Sequence, residues 1–314
     1  MAENTAGWDV EADVVVLGSG AAGLVAALAA HEYGAGEVVV VEKSGMVGGT
    51  SAMSGGMMWI PMNHHAVEDG IEDSIDDVVA YLDALAPGLL DPDTLSAYLE
   101  CGPEMIRFMA DHTPAKLRHF RGFPDYQPSI IGAKPHGGRS LDNDVFPFEE
   151  LGSAATRVNP PKTGVPKLLS RFEDKYGGVS AEELEDRQRR DCRGQGQALV
   201  GALFKGILDR NIPVLYETRA RHLVKDDGRV VGLTAEQDQR VGVPVVCHVP
   251  SFPSAACLRE RPNVEASPDR ACTEWRTRVC ARHPGVKPVR SLLLLFLGVP
   301  LPIILLLAMC THHF

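Results

Sequence analysis

The stretch Asp13-Val-Val-Val-Leu-Gly-Ser-Gly-Ala-Ala-Gly23 decides the fold of this chain. Asp13 is followed by three β-branched valines and Leu17, an apolar run that predicts a short buried strand. The alanine-rich residues 21–30 predict a helix, and Val38-Val-Val-Val41 predicts a second buried strand. A glycine turn joins the first strand to the helix, so the sequence predicts an α/β fold that begins with strand, helix and strand.

The turn between the first strand and the helix has the G-x-G-x-x-G spacing. Gly18 permits a tight turn, Gly20 lets the backbone approach a pyrophosphate, and Gly23 lets the helix pack closely on the strand. The helix N-terminus, with Ala22 in its first turn, presents N–H groups and a partial positive charge to phosphates. Glu42 follows Gly23 by 19 residues, and a carboxylate there can accept hydrogen bonds from both ribose hydroxyls. The pattern therefore predicts dinucleotide binding.

A second loop rich in glycine and hydroxyl side chains follows the acidic residue. Its predicted cofactor contacts are Gly48, Gly49, Thr50, Ser51, Ser54, Gly55 and Gly56. A nicotinamide enzyme has no need of this loop. The arrangement resembles the FAD-dependent fumarate reductase/succinate dehydrogenase flavoprotein superfamily, in which such a loop wraps the pyrophosphate and ribityl chain. The resemblance implies FAD as cofactor, and implies contacts from Lys43 and Ser44 as well.

The continuation through Trp59-Ile-Pro-Met-Asn63 resembles the 3-ketosteroid Δ1-dehydrogenase branch of that superfamily. The resemblance implies a Rossmann-like FAD-binding domain with an inserted α+β substrate (cap) domain, here C-terminally incomplete. It also implies a dehydrogenase that moves a hydride from a carbon near a carbonyl to flavin N5, with a steroid-like substrate and an unidentified electron acceptor. A fumarate-reductase-like site for a dicarboxylate and an inactive, truncated flavin domain remain as alternatives.

A tyrosine in a turn-rich stretch is the candidate catalytic residue. Gly122-Phe-Pro-Asp-Tyr-Gln-Pro128 and the later Gly137-Gly-Arg-Ser140 resemble two elements of the ketosteroid dehydrogenases, and Tyr126 matches their active-site tyrosine. The commoner role of a tyrosine is a packed aromatic whose hydroxyl has a partner. Arg139 could bind a carbonyl or carboxylate, or anchor a loop, and we favour the anchor. The resemblance also implies that the backbone near Ala220 contacts the adenine edge.

The predicted organisation follows the resemblance up to a change in composition near residue 241. Residues 241–314 hold eight basic and four acidic residues, whereas the remainder carries a net charge of about −14. The acidic body argues against a nucleic-acid partner. The predicted segments are a leader (1–12), the first FAD-binding segment (13–75), a partial cap domain (76–190), the return segment of the FAD-binding domain (191–240) and a divergent tail (241–314).

Several further elements follow from periodicity and turn residues. Adjacent His64 and His65 predict a turn without a metal site, since no spaced partner follows. Residues 110–170 are expected to be rich in loops, and the charged stretch 173–193 to be a solvated helix or connector. The other predicted elements are helices over 73–85, 92–109 and 194–208, a strand over 212–217, and a hairpin that joins 222–224 to 229–234.

Residues 292–310 form an uncharged, mostly apolar run of 19 residues. The run is long enough to cross a bilayer, so membrane contact through a C-terminal anchor is one expectation. The other is that the tail is out-of-frame or misassembled coding sequence, which the abrupt loss of the family pattern favours. Met1–Val10 is polar and acidic, which predicts a cytoplasmic location.

Overall fold

The computed structural model describes residues 9–227, 229–237 and 240–248. Its strands are β1 (Val10–Glu11), β2 (Val14–Leu17), β3 (Val38–Val41), β4 (Met58–Trp59), β5 (Leu117–His119), β6 (Ser140–Asn143), β7 (Phe146–Pro147), β8 (Cys192–Arg193), β9 (Val214–Leu215), β10 (Thr218–Asp226), β11 (Arg229–Gln237) and β12 (Arg240–His248). Its helices are α1 (Ala21–Glu32), α2 (Gly49–Met53), α3 (His64–Glu68), α4 (Ile75–Leu85), α5 (Pro92–His112), α6 (Arg171–Tyr176), α7 (Ala181–Arg189) and α8 (Gln195–Asp209), with a 3₁₀ segment over Phe148–Arg157.

A parallel sheet in the order β2-β3-β9 carries the predicted strand–helix–strand unit. All four valines of β3 are buried, as expected for a strand covered on both faces. Helix α1 packs on β2 and β3 through Leu24, Ala27 and Leu28, which are fully buried. The predicted strand over 212–217 is shorter in the structure, since only β9 pairs with β3.

Helix α8 packs against both α1 and α2 and contributes much of the central core. The predicted helix had an apolar side formed by Leu199, Leu203, Ile207 and Leu208. In the structure every residue from Gly196 to Phe204 is buried, so the helix is enclosed rather than amphipathic. Small residues allow this enclosure: a Cβ on Gly201 would lie 2.7 Å from the Phe148 ring.

A separate antiparallel sheet in the order β4-β6-β5 packs against the helices that follow the second loop. Trp59 and Tyr81 lie at the centre of its apolar cluster, together with Val78, Leu82 and Leu99. The expectation of a loop-rich segment over 110–170 was wrong in part, because β5, β6, β7 and the 3₁₀ segment lie within it. These strands are two to four residues long, and such short runs give little periodicity to detect.

The predicted hairpin forms and is longer than expected. Strands β10 and β11 pair over nine residues each, from Thr218 opposite Gln237 to Asp226 opposite Arg229. Strand β12 then pairs with β11, and β1 pairs with β12. Because β12 continues past residue 241, the strand crosses the predicted start of the divergent tail.

Two further expectations differ from the structure. Residues His64–Glu68 form the short helix α3 rather than a turn, because the Asn63 side chain accepts a hydrogen bond from Ala66 N at 2.9 Å and caps it. The stretch 173–193, predicted as a solvated helix or connector, contains the helix α7, and also β8 and most of α6. Arg187 is buried there, where Glu173 and Glu183 accept its hydrogen bonds.

Among the residues that the structure describes, no helix combines the length and apolar composition needed to span a bilayer. The predicted anchor, residues 292–310, and the predicted leader up to residue 8 lie outside the described residues.

Candidate active site

The first glycine turn has the geometry that close strand–helix packing requires. Gly18 has a φ of +92°, and its N–H donates to Val41 O at 2.8 Å across the parallel sheet. A Cβ on Gly23 would lie 2.0 Å from Gly18 O, so no side chain fits there. Gly20 precedes α1 without any side-chain cap, and a Cβ there would meet only Ser51 Oγ, at 3.5 Å. The backbone at Gly20 is therefore open to a close-approaching ligand.

The second loop folds back onto this turn. Gly48 N donates to Ser19 O at 2.9 Å, and Ala21 N donates to Ser51 Oγ at 3.1 Å. These bonds bring the two predicted cofactor loops side by side at the N-terminus of α1. The Ser51 hydroxyl lies at the first N–H of that helix, in the position that a phosphate oxygen can share.

Glu42 is 5% exposed, and its carboxylate lies between the two loops. One oxygen accepts from Ser19 N at 2.9 Å and from Ser19 Oγ at 2.5 Å, and the other accepts from Ser44 N at 2.9 Å. A carboxylate has about four acceptor positions, so about one remains for a ribose hydroxyl. The predicted contact with both hydroxyls therefore requires sharing or displacing a Ser19 bond, and Ser19 is a residue that the sequence analysis did not select.

The start of α8 holds the end of the second loop. Gly196 N donates to Ser54 O at 3.1 Å, and a Cβ on Gly196 would lie 2.1 Å from Ser51 O. The buried Gln197 donates to Ala52 O at 3.2 Å and to Asn159 O at 2.5 Å. Gly196 and Gln197 lie 142 and 145 positions from their partners Ser54 and Ala52, and no local pattern marks them as part of this site.

The remaining predicted cofactor residues lie around these two loops. Lys43, Ser44, Gly49, Thr50 and Ser54 are exposed, whereas Gly48 and Gly56 are buried against α8. The return strand β10 reaches the same edge, since Thr218 N donates to Glu42 O at 2.9 Å. Ala220, two residues further, is half-buried and pairs with Ala235. Ala220 therefore lies on the strand that adjoins Glu42, and its contact with an adenine stays a prediction.

These residues fit a bound dinucleotide. The glycine turn offers an open backbone at Gly20, the α1 N-terminus supplies a partial positive charge, and Glu42 supplies a nearby carboxylate. Gly48, Gly56 and Gly196 let the second loop approach α8 more closely than any side chain would allow. Glu42 thus forms an end suited to a ribose, and the N-terminus of α1 forms a centre suited to phosphates. The second loop, residues 48–56, leads from this centre along α8.

The candidate catalytic residue, Tyr126, has an exposed side chain on a fixed backbone. Tyr126 is 58% exposed, whereas the preceding Asp125 is 2% exposed. Asp125 accepts from Trp59 Nε1 at 2.6 Å, and from Lys134 N at 2.8 Å. On the other side, Gln127 N donates to the Tyr81 hydroxyl at 3.2 Å. The residues on both sides of Tyr126 are thus held by the second sheet and its helices.

Arg139 is the centre of a buried charge network. Its side chain is 0% exposed, and it donates to both Asp73 oxygens at 2.9 and 2.8 Å and to Asp125 at 2.9 Å. Its guanidinium also lies over the rings of Trp59 and Tyr81, at 5.4 and 5.6 Å from their centroids. Nε, Nη1 and Nη2 all donate to the two carboxylates, which supports the loop-anchor interpretation over substrate binding.

Burial raises the pKa of the Tyr81 hydroxyl, so Tyr81 stays neutral and keeps its bond from Gln127 N. Tyr98, whose hydroxyl donates to Trp59 O, also has a pKa raised by burial. No shared set of three or more His, Cys, Asp or Glu side chains suited to a metal ion occurs in the described part of the chain.

A glycine-rich strand-to-helix turn, an acid after the second strand and a return hairpin beside it define a dinucleotide-binding flavoprotein fold. The chain belongs to the FAD binding domain family, which matches residues 13–248. The predicted family, fold class and cofactor, FAD, are thereby confirmed.

The chain is similar to several characterised dehydrogenases. It is 36% identical over 242 residues to a 3-oxosteroid 1-dehydrogenase of Mycolicibacterium smegmatis, a match that covers 71% of this chain and 42% of the relative. It is 35% identical over 239 residues to a 4-oxocyclohexanecarboxylate 2-dehydrogenase of Sinomonas cyclohexanicum. That match covers 73% of this chain and 41% of the relative. The chain spans about two fifths of the length of these curated relatives.

The fold is also similar to a crystal structure of a 3-ketosteroid delta1-dehydrogenase from Sterolibacterium denitrificans in complex with 1,4-androstadiene-3,17-dione. The TM-score is 0.67 at 30% identity, and the match covers 76% of this chain and 46% of the other.

Proposed function

We propose that this chain provides the FAD-binding part, and one wall of the substrate site, of a dehydrogenase that acts on a carbon next to a ring carbonyl, as 3-ketosteroid Δ1-dehydrogenases do. The supporting observation is the exposed Tyr126, whose neighbours Asp125 and Gln127 are both held by hydrogen bonds. The relatives reported above are named for oxosteroids or an oxocyclohexane carboxylate. Bound FAD supplies the position that accepts a hydride.

The residues of this chain have separate roles in that proposal. Glu42 and the two glycine loops bind the nucleotide end, and α8 fixes the second loop. Tyr126 acts as the base in its phenolate form, which takes the proton from the carbon beside the carbonyl and becomes the phenol, because it is the exposed acid–base group of residues 125–127. Arg139 and Asp125 hold the backbone under Tyr126, and are buried away from the substrate.

A dicarboxylate substrate, as in fumarate reductases, is the second candidate. Such a site needs cationic side chains that face a bound carboxylate. The buried Arg139 is already bonded to Asp73 and Asp125, so it does not supply that charge. This observation therefore favours a cyclic ketone over a dicarboxylate. The electron acceptor is unidentified, and the cytoplasmic location and the domain limits remain predictions.

The proposal is tested on purified full-length chain in two steps. An absorbance scan first measures bound flavin, and a dye-coupled assay then compares a 3-ketosteroid, 4-oxocyclohexanecarboxylate and succinate. We expect flavin-containing protein that oxidises a cyclic ketone. Turnover of succinate alone would support the dicarboxylate alternative, and flavin-free or aggregated protein would support an inactive fragment.

The role of Tyr126 is tested by Tyr126→Phe, with Tyr33→Phe as a matched control at another exposed tyrosine. Loss of a general base lowers the rate on the order of 100-fold or more. We therefore expect Tyr126→Phe to lower kcat by that factor without changing the flavin content, and Tyr33→Phe to leave both unchanged. Equal rates for Tyr126→Phe and the unmodified chain would contradict the assignment.

A further inference from the structure

The far end of the second loop meets two amide side chains that the nucleotide end does not use. The second loop ends at Gly56, two residues before Met58 of β4, and Met58 pairs with Leu141 of β6, whose last residue is Asn143. A Cβ on Gly56 would lie 2.5 Å from Gln195 C, so Gln195 adjoins the same glycine. Asn143 Nδ2 donates to Gln195 O at 3.1 Å and joins the two residues.

Each of these side chains has a buried polar atom without a hydrogen-bond partner among the described residues. These atoms are Asn143 Oδ1, an acceptor, and Gln195 Nε2, a donor. The bond from Asn143 Nδ2 to a carbonyl fixes the orientation of that amide, because only the nitrogen can donate. Asn143 is 2% exposed, and leaving its oxygen unsatisfied costs free energy.

The neighbouring strand residue, Asp142, makes different contacts from Asn143. Side chains alternate along β6, so Asp142 and Asn143 face opposite sides of the sheet. Asp142 accepts a hydrogen bond from Phe172 N at 2.7 Å at the start of α6, and burial raises the pKa of its carboxyl. Asn143 instead donates to Gln195 O, at the start of α8.

The position of this pair along the loop identifies what it can contact. The loop begins at the α1 N-terminus, where Gly48 N reaches Ser19 O and Ser51 reaches Ala21. It then runs along α8 to Gly56 and enters β4. A dinucleotide with its diphosphate at α1 therefore extends its second half toward Gly56. In FAD that half carries ribityl hydroxyls and an isoalloxazine ring, which offer both donors and acceptors.

We propose that Asn143 and Gln195 bind the FMN half of FAD. Asn143 Oδ1 accepts from a hydroxyl or ring N–H, and Gln195 Nε2 donates to an oxygen of the same half. This inference rests on FAD binding by the family fold and on no particular substrate or reaction. ADP, which lacks the FMN half, does not reach either side chain.

The test compares FAD and ADP affinities of the full chain after bound flavin has been removed. FAD binding is followed by flavin fluorescence and ADP binding by calorimetry. We expect Gln195→Met to weaken FAD binding about tenfold, the effect of one lost hydrogen bond, and to leave ADP binding unchanged. Asn143→Leu should act in the same direction, and Gln188→Met, on the exposed face of α7, should change neither affinity.

Three outcomes would overturn the proposal: unchanged FAD affinity in Gln195→Met, equal weakening of FAD and ADP in both variants, or an unmodified chain that binds ADP but not FAD. Equal weakening would show that the substitutions act through the glycine turn. Absence of turnover on every ketone tested would instead contradict the proposed function, and would leave these binding constants as they are.

Discussion

Two glycines of the first turn, only three residues apart, have different physical roles. Gly23 is excluded from carrying a side chain by Gly18 O, whereas Gly20 has space beside it and only Ser51 Oγ within reach. The lack of a side chain is therefore required for folding at Gly23 and for the close approach of a ligand at Gly20. Substitution by alanine should therefore separate the two effects.

We expect Gly23→Ala to lower the free energy of unfolding by about 3 kcal/mol or more, because the added Cβ overlaps a backbone oxygen that cannot move without distorting β2. Gly20→Ala should leave the free energy of unfolding nearly unchanged and weaken FAD binding. Urea denaturation and flavin titration measure the two quantities. A Gly20→Ala protein that binds FAD normally would show that the pyrophosphate does not approach that backbone.

The backbone next to Tyr126 is held in part by Tyr81, whose hydroxyl accepts a hydrogen bond from Gln127 N. Tyr81→Phe keeps the ring over Arg139 but removes this acceptor. Loss of about 1 kcal/mol should accelerate amide exchange at Gln127 about fivefold. Hydrogen exchange read by mass spectrometry measures this change.

Tyr176→Phe is the control for that measurement, because the Tyr176 hydroxyl also bonds to the main chain, but at Arg121 O. It should leave exchange at Gln127 unchanged. If Tyr81→Phe also left it unchanged, the backbone beside Tyr126 would be held by the Asp125 network alone.

At the scale of elements, α6 and α7 are joined by an ion pair in a stretch whose charge had suggested only solvation. Arg187 donates to both Glu173 oxygens, at 2.8 and 3.0 Å, and Glu173 also closes a capping box with Ser170. Although burial opposes ionisation of Glu173, the hydrogen bond from Arg187 lowers its pKa to about 2. The pair is therefore a source of pH-dependent stability.

The sign of that dependence follows from the direction of the shift. Because the folded-state pKa is below the ordinary value of 4.5, the stabilisation is complete above pH 4.5 and is lost as pH falls toward 2. Glu173→Gln should flatten this part of the stability profile, whereas Glu185→Gln, at an exposed position on α7, should not. Denaturation midpoints measured between pH 2 and 6 give the pH dependence of stability for each variant. Identical profiles for Glu173→Gln and the unmodified chain would contradict the shift.

Across the whole molecule, the last described strand lies at the limit of the family match. The match ends at residue 248, where β12 also ends. Strand β12 pairs with β11 from Gly232 opposite His248 onward, and β11 carries the buried Leu233 and Ala235. We therefore expect FAD binding to depend on β12, which pairs with the backbone edge of β11.

A chain ending at residue 248 should bind FAD as tightly as the full chain. A chain ending at residue 237 should bind it more weakly, because β11 then loses its backbone partner. Flavin titration of the two truncated chains, alongside circular dichroism to compare their strand content, measures this. Weaker binding by the chain that ends at 248 would show that residues beyond β12 contribute to the site.

Local sequence patterns were sufficient to predict the elements that contact the nucleotide end. The glycine spacing, the valine strand and Glu42 each depend on neighbouring residues, so their geometry is determined within about 30 positions. The hairpin of β10 and β11 was also predicted from its turn, although its length was underestimated. Short strands such as β4 and β6 could not be predicted, because two to four residues contain too little periodicity.

The sequence by itself determined the α/β start of the fold, the two glycine loops and FAD as the cofactor. Only the tertiary structure decided that α8 is enclosed by the core, that Ser19 binds the Glu42 carboxylate, and that Asn143 donates to Gln195 beside the second loop. The physical reason is the separation of the partners along the chain. Hydrogen bonds join Ser19 to Glu42 across 23 positions, Asn143 to Gln195 across 52 and Gln197 to Ala52 across 145, and no periodicity in a single segment encodes such contacts.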